Sequence, residues 1–195
     1  YLEKALTVNI TNQNEFAPTN ILLSSTNMNE NLAAGTLVGN LTASDADGQD
    51  AHTYALVSGT GSADNAAFRV EGARLLSNQI FNYEVKNQYS IRLRVTDSGG
   101  LTFEKAFTIT IQNRNDHPTA LNLSGSTILE NHPGGTPIGV FSAVDEDAGE
   151  TFTYALVSGD GSQGNSSFNI QANTLRNASA LNAEAQETYS IRVRV

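Results

Sequence analysis

The feature that most restricts how this chain can fold is that it repeats itself after one hundred positions without a gap. Thr53-Tyr54-Ala55-Leu56-Val57-Ser58-Gly59 recurs unchanged as Thr153 to Gly159. Tyr89-Ser90-Ile91-Arg92-Leu93-Arg94-Val95 recurs as Tyr189 to Val195, with only Leu93 becoming Val193. Glu30-Asn31, Gly35-Thr36, Gly39, Asp45, Asp47, Phe68, Leu75 and Glu84 all have twins at the same offset. Self-similarity at a fixed period marks tandem structural units, each touching mainly its neighbour. The spacing predicts one repeat over 14–117 and a second over 118–195. Residues 1–13 read as the last strand of a preceding repeat, because Glu3-Lys4-Ala5-Leu6-Thr7 resembles Glu104-Lys105-Ala106-Phe107-Thr108. By the same phase the second repeat lacks its last strand, since the first runs on from Thr96 to Asn113.

Within a repeat the apolar residues follow period two. Tyr89, Ile91, Leu93 and Val95 alternate with Ser90, Arg92, Arg94 and Thr96, and Phe107, Ile109 and Ile111 alternate with Thr108 and Thr110. Such alternation is the mark of a strand with one face buried. Leu37–Ala43, Tyr54/Leu56, Ile21–Leu23, Phe68–Val70 and Arg74–Leu76 bring the count to roughly seven strands, separated by Asp47-Gly48, Ser58-Gly59-Thr60-Gly61 and Ser98-Gly99-Gly100. The expected fold class is all-β: tandem seven-stranded Greek-key β-sandwiches in a linear array. With 0 Cys and 0 Trp, an antibody-type domain is excluded and no disulfide or thiolate site can form.

The net charge is -9, with only 11 Lys+Arg. Nucleic acid and anionic membrane surfaces call for clustered positive charge, so neither is an expected partner. No apolar run approaches the ~18 residues of a membrane-spanning helix. Acidic excess suits a divalent cation wherever the carboxylates converge. Calcium takes 6–8 oxygen ligands from carboxylates, amides and backbone carbonyls. The joint Asn113-Arg114-Asn115-Asp116-His117-Pro118 supplies oxygen donors and no soft ligands, and Pro118 biases His117 towards an extended backbone.

Several motifs, in order, carry a resemblance. Asn12-Gln13-Asn14-Glu15-Phe16-Ala17-Pro18 and Asn113–Pro118 resemble the D-x-N-D-N-x-P linker of cadherins. Glu30-Asn31 and Glu130-Asn131-His132-Pro133-Gly134-Gly135-Thr136 resemble the E-N-x-P-x-G-T segment. Asp45-Ala46-Asp47 and Asp145-Glu146-Asp147 resemble D-x-D, and Phe81-Asn82-Tyr83-Glu84 and Leu181-Asn182-Ala183-Glu184 resemble L-D-x-E. Asp97-Ser98-Gly99 resembles the late D-x-G. The chain is thereby similar to cadherin-like repeats, as found in large bacterial surface adhesins. The resemblance implies Ca2+ clamped between consecutive repeats. At the central joint the implied ligands are Glu30, Asn82, Glu84, Asn113, Asn115, Asp116, Asp145 and Asp147, with a backbone carbonyl at His117. At the upstream joint they are Asn12, Asn14, Glu15, Asp45, Asp47 and Asp97. Asn replaces the motif's Asp at Asn12, Asn113, Asn82 and Asn182, and the central linker is one residue short.

Other motifs yield less. Asp45-Ala46-Asp47-Gly48-Gln49-Asp50 hints at an EF-hand loop, yet Leu56 stands where a bidentate Glu belongs. His52, His117 and His132 read as surface histidines with no repeated partner. The paired Gly-rich loops lack the Lys and helix of a phosphate cradle. No catalytic constellation converges, so the expectation is an extracellular, calcium-stiffened spacer or adhesion module of a larger cell-surface protein, not an enzyme. The Asn-, Ser- and Thr-rich, cysteine-free composition favours a bacterial adhesin. The alternative is a carbohydrate-binding or homophilic recognition module. Expected partners are neighbouring repeats of the same polypeptide, surface glycans, or like chains joined head to tail through strand complementation by residues 1–11.

Overall fold

Alternation along Gln88–Thr96 turns Tyr89, Ile91, Leu93 and Val95 to one side, and these four side chains form the middle of a buried core. The computed structural model describes residues 1–11, 13–47 and 50–195. The chain divides into two units, Tyr1–Arg114 and Asn115–Val195.

The first unit contains β1 (Asn20–Leu23), β2 (Asn27–Asn29), β3 (Leu37–Ser44), β4 (Thr53–Leu56), β5 (Phe68–Glu71), β6 (Arg74–Ser77), β7 (Gln88–Thr96) and β8 (Thr102–Gln112). A 3-10 turn at Asn65–Ala67 precedes β5. The strands make two four-stranded sheets, in the orders β1-β3-β6-β5 and β2-β8-β7-β4. Every pairing is antiparallel except β2 with β8, which is parallel. Between the sheets lie Ile21, Leu41, Leu75, Ile91, Leu93, Ile109 and Ile111, and an aromatic cluster of Phe68, Phe81 and Tyr89 with centroids 4.6–6.0 Å apart.

Among the described residues of this unit eight strands stand where the sequence suggested seven. The first is broken: after Leu23 the chain crosses from one sheet to the other through Ser24–Thr26 and re-pairs at Asn27-Met28-Asn29. Three residues with one buried Met give too short a signal for period-two reading. The crossing accounts for the repeated glycine at Gly39 and Gly139. A Cβ on Gly39 would sit 2.9 Å from Ser25 N, and one on Gly139 would sit 2.2 Å from Gly125 O. Both strands also shift register there.

The second unit contains β9 (Ala120–Leu123), β10 (Pro137–Val144), β11 (Ala155–Leu156), β12 (Phe168–Gln171), β13 (Thr174–Asn177) and β14 (Val193–Arg194). The sheet β12-β13-β10-β9 reproduces the order of β5-β6-β3-β1, and its partner sheet is β11-β14. The expected strand over Tyr189–Val195 is realised only at Val193–Arg194. In the first unit β8 runs along the whole of β7, whereas no described strand lies beside Tyr189–Arg192. That segment keeps the loop bonds that its twin also makes: Val157 N donates to Arg192 O at 2.9 Å, and Gly164 N to Ser190 O at 2.7 Å, as Val57 N does to Arg92 O and Asp64 N to Ser90 O. Residues 1–11 form no strand, and Leu6, Val8 and Ile10 are exposed.

On the outer face of β7 the two arginines are occupied. Glu104 of β8 accepts from Arg92 Nε at 2.8 Å and from Arg94 Nε at 2.9 Å. Arg92 first, then Arg94, hold its carboxyl below the usual range, with partial desolvation opposing. A depressed carboxylate contributes stability above its ordinary range near pH 4, and that contribution is lost as pH falls through the lowered value. The urea midpoint of Glu104→Gln should therefore lie below wild type at neutral pH, with the gap closing as pH drops below about 4. A gap independent of pH would assign Glu104 a packing role only.

Candidate metal-binding ends of the repeats

Strands end by leaving backbone amides without ladder partners, and in this chain carboxylates take them up. In the first repeat Glu30 follows β2 and is only 2% exposed. Its Oε2 accepts from Tyr83 N at 2.6 Å and its Oε1 from Arg114 N at 2.7 Å. One side chain thus ties the strand end, the Phe81–Glu84 segment and the end of β8 together. Asn31, next in line, has φ of 59°, a left-handed conformation in which Asn is several-fold enriched over most residues. That geometry lets its N–H reach Phe81 O at 2.9 Å. The Glu-Asn pair is therefore explained by backbone geometry as well as by ligand chemistry.

Around Glu30, an oxygen of Glu84 approaches within 4.8 Å of one of its own. Asn113 Nδ2 donates to Glu84 Oε1 at 3.0 Å. Asn82 is engaged locally, its Oδ1 accepting from Val85 N at 2.9 Å, and Asn182 does the same for Ala185 N at 3.1 Å. At both positions the side-chain oxygen closes a turn, a bond that the motif's Asp could make as well.

At the opposite end of the first repeat, Asp47 is 5% exposed and its Oδ2 accepts from Glu15 N at 3.0 Å and Phe16 N at 2.8 Å. Asp47 N in turn donates to Asp45 Oδ1 at 3.1 Å. The Glu15 side chain is exposed, and its backbone makes the contact with Asp47. The second repeat has the same arrangement. Asp116 N donates to Asp147 Oδ2 at 2.6 Å, and Asp147 N to Asp145 Oδ1 at 3.0 Å. Asn115 Nδ2 donates to Asp116 O at 2.7 Å. Asn12 lies outside the described residues.

Three carboxylates converge near Asp47. Asp45, Asp50 and Asp97 each bring an oxygen within 4.8 Å of the other two. Asp97 is 6% exposed; its Oδ1 accepts from Leu101 N at 2.8 Å, while its Oδ2 has no partner among the described residues. Asn14 lies alongside, donating through Nδ2 to Asp50 Oδ2 and, at 3.1 Å, to Ser98 Oγ. The Asp47 amide holds the Asp45 carboxyl below its usual range; desolvation opposes this, and His52 lowers it further. His52 is not the surface histidine expected from sequence. Its Nε2 stands 3.2 Å from Asp45 Oδ2, and its side chain is 16% exposed.

Like charges this close repel. The carboxylate donors are all oxygen, and two buried oxygens, Asp97 Oδ2 and Asn14 Oδ1, have no partner among the described residues, which fits a hard cation. Sequence reading identified Asp45 and Asp97 here and missed Asp50 and His52. An acid at the twin position, Glu150, was the available clue.

Anchoring by Glu30 gives a mutational expectation. Glu30→Gln opposes an NH2 to a backbone N–H and should cost about 1–3 kcal/mol in the first unfolding transition, measured by urea in chelator. Glu130→Gln should cost less, because Glu130 is exposed and, among the described residues, accepts only from Ala183 N at 3.1 Å. Equal costs would refute the anchoring role.

Comparison with known proteins agrees in kind. The Cadherin domain model matches residues 24–112. Protocadherin Fat 4 of Mus musculus is 31% identical over 173 residues, 85% of this chain and 3% of that protein. Cadherin-8 of Rattus norvegicus is 29% identical over 178 residues, 82% of this chain and 22% of that protein. The chain therefore spans less than a quarter of either relative. Among solved structures, human protocadherin-24 EC1-2 superposes with a TM-score of 0.65 at 21% identity, covering 93% of this chain and 95% of that one.

Proposed function

We propose, for a chain that is cadherin-like in fold and carries a cadherin domain over residues 24–112, the role of a calcium-binding spacer in an extracellular adhesion protein. The observation that carries this reading is the convergence of Asp45, Asp50 and Asp97 with an unmatched buried oxygen on Asp97. Membership of an adhesion family rather than an enzyme family supports it.

In this reading the ends of each repeat are the working parts. Glu30, Asn82 and Glu84 of the first repeat, Asn113, Asn115 and Asp116 of the linker, and Asp145 and Asp147 of the second repeat supply ligands at the central junction. Asn12, Asn14, Glu15, Asp45, Asp47 and Asp97 supply them upstream. Without the ion these oxygens repel; with it, the repulsion becomes a crosslink and the array stiffens. The domain boundary falls in the linker before Pro118, with 14–117 and 118–195 as the two repeats and 1–13 belonging to the one before. Absence of Cys leaves metal as the available means of rigidity, and the Asn/Ser/Thr-rich composition favours a bacterial surface adhesin as the larger protein.

A ligand bound only by the native state stabilises it by mass action, about 2.7 kcal/mol at a hundredfold excess over Kd. Calcium should accordingly raise the melting temperature by roughly 10 °C relative to chelator, with magnesium giving little. Small-angle scattering should show a longer, narrower range of maximum dimensions with calcium. Identical melting and scattering with and without the ion would overturn the reading.

A further inference from the structure

We propose that Asp50 is a side-chain calcium ligand, a carboxylate that the D-x-D and late-Asp motifs do not include, and that it offsets the charge lost where the linker has Asn12. This rests on the calcium reading above and adds a ligand to it.

The geometry points to Asp50 from two directions. Its oxygen lies in the same 4.8 Å set as those of Asp45 and Asp97, so any cation reaching the other two reaches it as well. Beside it, Asp97 is 94% covered (6% exposed) and leaves Oδ2 without a partner. A buried carboxylate oxygen with no donor is a costly arrangement unless a cation completes it. Among the described residues the trio's only ion pair is His52 with Asp45, and none reaches Asp50 or Asp97.

The surroundings orient Asp50 rather than neutralise it. Ser98 Oγ donates to Asp50 Oδ1 at 3.0 Å, and Asn14 Nδ2 donates to Asp50 Oδ2. Neutral donors fix a carboxylate's direction and keep its charge. Asn14 can lie there because residue 99 is glycine: a Cβ on Gly99 would come within 2.7 Å of Asn14 Oδ1. The two glycines after Ser98 thus have separate tasks. Gly100 takes the positive φ of 87° that turns the loop, and Gly99 gives Asn14 its place. An acid also recurs at the same register of the second repeat as Glu150, where the motif requires none.

The test uses the full 195-residue chain, labelled for NMR, with calcium as the probe. The amide signals of Gly99 and Gly100 report this end of the first repeat. Asp50→Asn should weaken the calcium midpoint read from those signals about tenfold while leaving the midpoint read at the Asp145–Asp147 amides unchanged. Its melting temperature in chelator should equal or exceed that of wild type, because a repulsive charge is gone. Gly99→Ala should weaken the same midpoint by displacing Asn14. If Asp97→Asn weakens the midpoint and Asp50→Asn does not, Asp50 is no ligand and the calcium reading stands. If Asp50→Asn instead lowers melting in chelator and leaves the midpoint alone, Asp50 only braces the loop, and the proposal fails. Should wild type show no calcium-dependent shift at these amides, both readings fall.

Discussion

The structure depends on carboxylates that stand in for missing strand partners. Where β2 and β8 end, Glu30 accepts the amides of Tyr83 and Arg114; where the chain enters the first repeat, Asp47 accepts those of Glu15 and Phe16. Each bond is charge-assisted, and each acceptor is almost fully covered. These contacts set where the linker backbone lies at the ends of the first sandwich. The same side chains carry the negative charge that the proposed cation would use, so on that reading anchoring and ligation draw on one set of residues. Asp147 and Asp145 repeat the device in the second unit.

Dual use has an electrostatic consequence. Concentrating acids at the ends of a domain leaves the interior free to be held by apolar packing, as in the core around Ile91, Leu93 and Ile109. It also makes the ends the least settled part in the absence of cations. Asp45 has its Asp47 amide and His52, but Asp97 keeps one oxygen unmatched. On the proposed reading such ends would respond to calcium, while the apolar sandwich between them would stay as it is.

Comparing the repeats shows which features belong to the architecture and which to the individual copy. Residue 77 is Ser and residue 177 is Asn, both fully buried, and both offer an oxygen to the amide of Thr36 or Thr136. The requirement is an acceptor behind the positive-φ glycines Gly35 and Gly135; the side chain that meets it can differ. By contrast, Asp64, which accepts from Ser90 N at 2.8 Å and pairs with Lys86, has only Gly164 and Gln186 at its twin positions. That bond is particular to the first copy.

Repeat period, strand alternation and turn residues were enough to read the all-β class, most strands of the first unit and the acidic motifs, because each is a local pattern with its own period. The short β2 was not legible, since its pairing is parallel and comes from distant Thr110–Gln112. Sequence identity does not fix pairing either: Tyr89–Arg92 is strand because β8 pairs with it, and the same four residues at Tyr189–Arg192 pair with no described strand. The candidate site divides the same way. Sequence alone determined which oxygens are available, since residue types and spacing fix the donor atoms. Only the tertiary structure decided that Asp50 and His52 join Asp45 and Asp97, because bringing the loop after β7 against the loop after β3 depends on how the two sheets pack.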